Sequence, residues 1–377
     1  MSSTRPASPP AEAVAAETSP EWWLLEQLAA GEEPTVEDWE LVAGRTEVDA
    51  GRLVGHAMEH NLLGVVTHYF LTPEPRPRIS RKTGLWLMRV RDGLRARALE
   101  WTRLAIEIGE ALRGADIAYA HTKGVATQFE LYPEVGVRAF NDIDFMVRIE
   151  QLDDVERLMR ERGFEYGEFD PFLLRIVEPP REERLLFRLN PDHLPHLSKP
   201  LPDPGVPYVG VDFATSLTWT AAPWQVAMED VFATRVELSS PQRGIPIGQS
   251  FPVLRSDYSF LFLALHVFRD AWSGLEAGEL DLTLSQFGEL ARFRRADEDV
   301  ARRAAALVAE HGLVEPMAWA SFHTDGLFGT ALAAELGVEE TAADLAAAFA
   351  TYPHVRDDLL SPTSMRQRLY GRTTAAS

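Results

Sequence analysis

Apolar residues recur at helical spacing through the first third of the chain. The run from Val48 to Leu71 and the run from about Arg81 to Leu112 each place apolar side chains along one helix face. Candidate packing residues of the second run are Leu85, Leu87, Met88, Val90, Leu94, Ala98, Trp101, Leu104, Ile106, Ile108 and Leu112. Thr35 followed by Asp38 predicts a capping box ahead of a shorter helix. The N-terminal third is therefore predicted to be helical.

The middle of the chain changes to short apolar runs that are typical of strands. A first strand is predicted over Ile117 to Ala120, followed by a helix over Val125 to Leu131. The next strand carries Asp142 and Asp144 and continues to Val147. Later predictions are a helix over Gln151 to Arg162 and strands at residues 164–166, 184–189 and 207–219.

The C-terminal third returns to helical spacing. Helices are predicted over residues 255–273, Leu280 to Phe293, Val300 to His311 and Leu332 to Phe349. The domain prediction is a disordered Pro-, Ala- and Ser-rich tail at 1–20, an N-terminal helical region at 21–115, a core sheet at 116–250, a C-terminal helical lobe at 251–370 and a frayed tail at 371–377.

Composition narrows the class of protein. The chain has 377 residues, of which 46% are hydrophobic and 25% charged, as in an ordinary soluble globular protein. It has no cysteine, no apolar run long enough for a membrane span and no visible secretory signal, so a cytoplasmic location without membrane partners is expected. The formal net charge of −20 makes a nucleic-acid partner unlikely, because such binding relies on Lys and Arg.

Asp142 and Asp144 are the first candidate site residues. Residues two apart on a strand share a face, so both carboxylates project together while Ile143 and Phe145 are buried on the other side. Neighbouring carboxylates repel unless a cation lies between them, and Mg²⁺ takes one or two protein carboxylates together with substrate phosphates. The alternative is a solvated surface, as expected for other acidic triplets such as Glu47/Asp49.

Two cationic segments adjoin this strand in the sequence. Lys123-Gly124 follows a strand and precedes a helix, where a glycine lets the backbone approach a phosphate and the lysine adds a charge. An ordinary turn with a surface lysine is the alternative. Arg138 precedes Asp142 by four residues, and it could bind a phosphate or instead form a structural salt bridge with Glu134.

These motifs together resemble a known superfamily. Lys123-Gly124, Tyr132-Pro133, Arg138 and Asn141-Asp142-Ile143-Asp144 are similar to the core of the polymerase-β-like nucleotidyltransferases, in particular a bacterial group of uncharacterised nucleotidyltransferases. The resemblance extends from about residue 22 to residue 300. It implies an α+β fold in which a small mixed sheet with helices is flanked by N-terminal helices and a C-terminal helical lobe.

The resemblance also implies a site. Asp142 and Asp144 would bind metal with a third carboxylate on a later strand, and Asp212 in Val211-Asp212-Phe213 is the candidate. Together these catalytic residues would hold two Mg²⁺ ions, while Lys123, Gly124 and Arg138 would bind a nucleoside triphosphate. The chain departs from the family where Val125 replaces a second small residue and Ala214 replaces a histidine.

The expected activity is transfer of a nucleotidyl group to a hydroxyl of a small-molecule or protein acceptor. A degenerate fold that binds a peptide or small molecule is the main alternative, and an enzyme of the toxin–antitoxin type that modifies a protein or tRNA is another. His193, His196 and His266 receive no role, because a Pro-interrupted loop does not fix the spacing of the first two and an apolar helix suggests packing for the third.

Overall fold

The computed structural model describes residues 19–180, 194–220, 222–239, 250–273, 282–342 and 365–370. The predicted tail at 1–20 falls outside these ranges up to residue 18, and Pro20 already begins a helix. The strand predicted at 184–189 and the tail at 371–377 also lie outside the described residues.

The described chain is a mixed α+β protein. Its helices are α1 Pro20–Ala29, α2 Val36–Ala43, α3 Ala50–Glu59, α4 Leu63–Leu71, α5 Arg81–Gly114, α6 Lys123–Leu131, α7 Leu152–Glu161, α8 Met228–Ala233, α9 Ser256–Ser273, α10 Leu284–Ala296, α11 Val300–His311, α12 Val314–Phe328, α13 Leu332–Leu336 and α14 Met365–Tyr370. Its strands are β1 Tyr119–His121, β2 Ile143–Val147, β3 Glu165–Tyr166, β4 Glu168–Asp170, β5 Arg175–Val177, β6 Leu197–Pro200, β7 Tyr208–Ala214, β8 Val236–Leu238 and β9 Phe251–Val253.

The chain forms two compact units. The first comprises residues up to Val90, Ala264–Ala309 and residues from Leu313 onward, and its described elements are helical. The second comprises Arg91–Leu263 and Glu310–Gly312 and contains every described strand.

In the first unit, local signals explain where helices start and stop. The predicted capping box is present, since the Asp38 amide donates to Thr35 Oγ1 at 3.2 Å and the Thr35 amide donates to the Asp38 carboxylate at 2.9 Å. The apolar run from Val48 to Leu71 is divided into α3 and α4 rather than forming one helix. Asn61, with φ of +57°, turns the chain there in a left-handed conformation that asparagine tolerates.

Two C-terminal predictions need correction. Helix α12 was not predicted, although Pro316 is its third residue and proline is compatible with a first helical turn, where the N–H has no partner. The helix predicted from Leu332 to Phe349 is interrupted after Leu336, because Gly337 adopts a left-handed φ of +69°, and residues 339–342 are helical again. Residues 343–349 lie outside the described part.

Helix α5 also shows what an apolar pattern cannot distinguish. Ala98, Trp101, Ala105, Ile108 and Leu112 are buried at spacings of three and four residues, which is one continuous face of the helix. Leu85 and Met88, predicted to pack, lie off that face and are 49% and 43% exposed.

The second unit is built on a mixed sheet of seven strands in the order β3-β6-β7-β2-β1-β9-β8. Strand β2 pairs antiparallel with β1 and parallel with β7. Ile143, Phe145 and Val147 of β2 enter the hydrophobic core, as their alternation predicts. A separate hairpin, β4-β5, completes the described strands. No described helix is both long enough and apolar enough to cross a membrane, and the cytoplasmic location stays a prediction.

His121 at the end of β1 provides a test of this core. It is fully buried, with its ring centroid 4.6 Å from that of Phe145 and 4.7 Å from that of Phe251, and neither ring nitrogen has a hydrogen-bond partner in the described structure. Burial, with a smaller contribution from Arg113, lowers the pKa of His121 to about 3.

We therefore expect His121 to destabilise the fold in acid. Below about pH 6.5 the unfolded chain takes up a proton at this histidine that the folded chain rejects, so stability falls as the pH drops toward about 3. His121→Phe should remove this dependence, and its stability advantage should grow by about 1.4 kcal/mol per pH unit below that point. Urea unfolding at pH 7.5, 6.0 and 5.0 measures the difference; a constant difference between variant and wild type would contradict the assignment.

Candidate active site

The sheet brings together acidic residues that are far apart in the sequence. Asp142 directly precedes β2, which begins at Ile143, one residue later than predicted. The parallel pairing of β2 with β7 places Asp144 opposite Asp212. Since residues paired in register on neighbouring strands face the same side of a sheet, these two carboxylates and Asp142 share one face.

A compact group of possible metal ligands lies on this face. One ligand atom from each of Asp142, His196 and Asp212 lies within 4.8 Å of the other two. Carboxylate oxygens and imidazole nitrogens are both common ligands of divalent cations. The group contains two of the three predicted aspartates, and it adds a histidine to which the sequence analysis gave no role.

His196 is held in place by its neighbours. Its Nδ1 lies 3.0 Å from Asp212 Oδ1, and its backbone carbonyl accepts a hydrogen bond from the Gly167 amide at 2.9 Å. The ring lies against Gly210, where an added Cβ would be 2.6 Å from Nε2. Glycine at position 210 thus provides the space that the imidazole occupies beside Asp212. His193, which was considered together with His196 in the sequence, lies outside the described residues.

Asp144 has a different environment from the other two aspartates. Its side chain is 6% exposed, and its Oδ1 lies 3.1 Å from Lys123 Nζ. Lys123 was predicted to bind phosphate, whereas in this structure it neutralises Asp144. Its φ of +36° is in the left-handed region, an uncommon backbone conformation for lysine that recurs at functional turns.

Gly124 allows α6 to begin close to the acidic strand. A Cβ at this position would lie 3.0 Å from the Asp142 carbonyl oxygen and 3.2 Å from Asp144 Oδ2. The sequence predicts that this glycine permits close approach to a phosphate. The contact in the structure is with the aspartate segment itself. Val125, which departs from the family pattern, is fully buried in the core.

Arg138 lies near enough to Asp144 for its positive charge to lower the pKa of that carboxyl group. Its guanidinium carbon is 5.9 Å from the ring centroid of Phe140. Glu134, considered as a structural partner for Arg138, forms an ion pair with Arg95 at 3.3 Å. Of the two predicted cations, Lys123 contacts Asp144 directly, whereas Arg138 acts on it through its charge.

The electrostatics of this cluster are dominated by carboxylates close to one another. Burial and the charges of Asp144 and Asp212 raise the pKa of Asp142 to about 8, against smaller effects of Lys123 and His196. Burial also raises the pKa of Asp144, while Lys123 opposes the rise. For His196, burial favours the neutral ring, but the hydrogen bond and charge of Asp212 outweigh it and raise the pKa to about 9. The site thus has a strong preference for added positive charge.

His266 is not part of the acidic cluster. It lies on α9 in the first unit, where its Nε2 is 3.3 Å from Asp270 and its Nδ1 is 2.8 Å from Arg269 Nη2. These contacts are consistent with a helix-surface network. Asp142, Asp144, Asp212, Lys123, Gly124 and Arg138 lie in one region of the structure, together with His196 and Gly210. Their roles in metal and nucleotide binding stay a prediction.

Comparison with known proteins gives one family match. The model of a family described as uncharacterised nucleotidyltransferase matches residues 46–329. A solved structure of an antigenic nucleotidyltransferase-like protein from Paracoccidioides brasiliensis is similar over 59% of this chain and 90% of that chain, with 16% sequence identity and a TM-score of 0.32. No curated protein matches the chain. Because the family model covers well over half of the sequence, the protein belongs to the uncharacterised nucleotidyltransferase family, as the resemblance of its motifs predicted.

Proposed function

We propose that the protein is a Mg²⁺-dependent nucleotidyltransferase that moves a nucleoside monophosphate group from a nucleoside triphosphate to an acceptor hydroxyl. The observation that carries the proposal is the meeting of Asp142, Asp144 and Asp212 on one face of the sheet, next to the ligand group completed by His196. Three carboxylates grouped around a few cations are costly in a purely structural role, because they repel one another.

The donor atoms suit a hard divalent ion. Asp142 and Asp212 supply the carboxylate oxygens that Mg²⁺ prefers, and Asp144 adds a third carboxylate beside them. Imidazole is a less usual ligand for Mg²⁺ than for Mn²⁺ or Zn²⁺. We assign His196 as the group that orients Asp212 through the 3.0 Å contact, in the way that hydrogen-bonded partners fix ligating carboxylates.

Lys123 supports a link between nucleotide binding and metal binding. In the present structure its ammonium group is paired with Asp144. A triphosphate bound beside α6 would offer Lys123 a more highly charged partner than Asp144. If Lys123 moved to the triphosphate, Asp144 would become available to a second ion. Arg138 would remain near Asp144 and bind phosphate oxygens.

The chemistry follows from these positions. The acceptor hydroxyl loses its proton to solvent, and its oxygen forms a bond to the α-phosphorus. The bond between that phosphorus and the oxygen bridging to the β-phosphorus breaks, and pyrophosphate leaves. Bound Mg²⁺ would supply activation of the hydroxyl and neutralisation of charge on the departing group. The residues of this chain hold the carboxylates in place, position the triphosphate with Lys123 and Arg138, and keep the acidic strand close to α6 through Gly124.

We infer a small-molecule or protein acceptor. A net charge of −20 opposes association with a nucleic-acid backbone, while a single nucleotide needs only a metal and a few cations. The second candidate function is a fold without catalysis that binds a peptide or small molecule. It is favoured by one observation, the Lys123–Asp144 ion pair, because a carboxylate that stays paired with lysine binds no metal.

Substitution of Asp142 separates these two functions. With labelled ATP, CTP, GTP or UTP and a metabolite extract as acceptor source, wild type should transfer label when Mg²⁺ is present and lose transfer in excess chelator. Asp142→Asn should lose more than the roughly 10–100-fold that removal of a supporting hydrogen-bond partner costs at a metal site. Asp153→Asn, which changes an exposed acid on α7, serves as the matched control and should keep wild-type activity. Calorimetry with each triphosphate and Mg²⁺ accompanies the assay, and nucleotide binding without any transfer would favour the second function.

The carboxylate cluster also predicts how the melting temperatures of Asp142→Asn and wild type compare without and with Mg²⁺. Without divalent metal, Asp142→Asn removes one of three neighbouring carboxylates, so its melting temperature at pH 8 should exceed that of wild type by about 2 °C or more. Adding Mg²⁺ should raise the melting temperature of wild type and leave that of the variant unchanged, because binding stabilises only the form with an intact site. Equal responses of both proteins to Mg²⁺ would contradict metal binding by Asp142.

Gly210 and His196 provide a third test. Gly210→Ala would place a Cβ where the imidazole lies, and His196→Ala would remove the ring; both should weaken Mg²⁺ binding, measured by calorimetry. If both act through the His196–Asp212 contact, the double variant should be no weaker than His196→Ala alone. Additive losses would mean that Gly210 affects the site by another route.

A further inference from the structure

A second candidate site lies at the other end of the central strands. A cavity of about 290 Å³ opens where β1 begins, next to Ala118 and Tyr119. The proposed active site lies at the opposite end of β1, since Lys123 follows its last residue, His121. The rest of the cavity is formed by the end of α5 and by the segment from α8 to β8.

Two arginines line this cavity. Arg113 Nη2 lies 3.4 Å from the Tyr119 hydroxyl, its one polar contact in the described structure. Arg235 donates from Nε to the Phe232 carbonyl at 2.9 Å and from Nη1 to the Tyr119 carbonyl. Neither guanidinium forms an ion pair with a carboxylate of the described residues, so each retains donors directed to no protein partner.

A third arginine adds positive charge beside the cavity. The guanidinium carbons of Arg148 and Arg235 lie 4.9 and 5.2 Å from the ring centroid of Phe232, so one aromatic ring adjoins two cations. The charge of Arg148 contributes, after burial, to a lowered pKa of Arg235. Arg148 has a distant partner in Glu229 at 3.8 Å.

The rest of the lining limits the kind of ligand. Ile117, Phe232 and Pro252 adjoin the cavity, but all three are buried, so most of the surface open to a ligand is polar. Glu237 is the acid of the lining, and its carboxylate accepts a hydrogen bond from Ser250 Oγ at 2.8 Å. The contacts of Arg235 with backbone carbonyls explain that residue as a connection between β1 and the α8–β8 segment. They do not involve Arg113, which lines the same cavity and is exposed.

We propose that this cavity binds a small organic anion, with its acid group between Arg113 and Arg235. Guanidinium groups match the planar or tetrahedral oxygens of carboxylates and phosphates, and the volume is at the small end for ligand pockets. The acid group of the ligand is a phosphate ester or a carboxylate. This site is independent of the nucleotidyl-transfer proposal, because it shares no residue with the acidic cluster.

Calorimetric titration with simple probes tests the proposal. Phenyl phosphate and benzoate represent the two acid groups, phenol lacks the charge, and inorganic phosphate lacks the ring. The titrations use the full chain in excess chelator, so that metal at the acidic cluster does not recruit phosphate, and low salt, which preserves surface electrostatics. We expect one of the two aryl acids to bind at least about tenfold more tightly than phenol. Failure of both aryl acids to bind would overturn the proposal.

Paired variants give effects of opposite sign. Arg113→Met should weaken binding of the aryl acid by about tenfold, the loss expected for a charge-assisted hydrogen bond. Glu237→Gln should tighten it by about threefold, because a negative charge is removed from the lining. Arg157→Met on the exposed face of α7 should leave the affinity unchanged. If Arg113→Met fails to fold, Glu237→Gln decides the matter: tighter binding supports the site, and unchanged or weaker binding overturns it.

Discussion

The repulsion between neighbouring carboxylates is the constraint on which the site depends. Asp144 and Asp212 face each other because β2 and β7 pair in parallel and in register, and a shift by one residue would send one carboxylate to the opposite face. The register is fixed by the buried residues on either side of Asp144 and Asp212. Ile143 and Phe145 on β2 lie opposite Val211 and Phe213 on β7. The apolar core of the sheet thus holds together charges that would otherwise separate.

The remaining elements position cations against this cluster. Helix α6 begins close to the acidic strand because position 124 has no side chain, and its first residue brings an ammonium group to Asp144. On the other side, the absence of a side chain at Gly210 leaves room for His196 next to Asp212. Each of the two glycines therefore serves the electrostatics of the site by permitting a close approach.

Part of this arrangement was predictable from local patterns. Alternation along β2 and β7 placed Asp144 and Asp212 on strands, as the structure has them, whereas Asp142 lies just before β2. A helix was predicted after Lys123-Gly124, and these two residues are its first two. His196 was missed because it precedes β6 in an irregular segment, where no periodicity relates its direction to that of Asp212. A His-to-Asp contact across 16 residues depends on the antiparallel pairing of β6 with β7, and only the sheet register reveals it.

The three aspartates do not have equivalent surroundings. Asp144 has Lys123 and the nearby charge of Arg138, and Asp212 has His196. Asp142 makes no ion pair within the described residues, and burial together with the other two carboxylates raises its pKa to about 8. The protein thus supplies internal cations to two of the carboxylates and leaves the third to be compensated by a proton or an added ion. Asp142 is for this reason the position where the structure and the proposed chemistry are most directly linked.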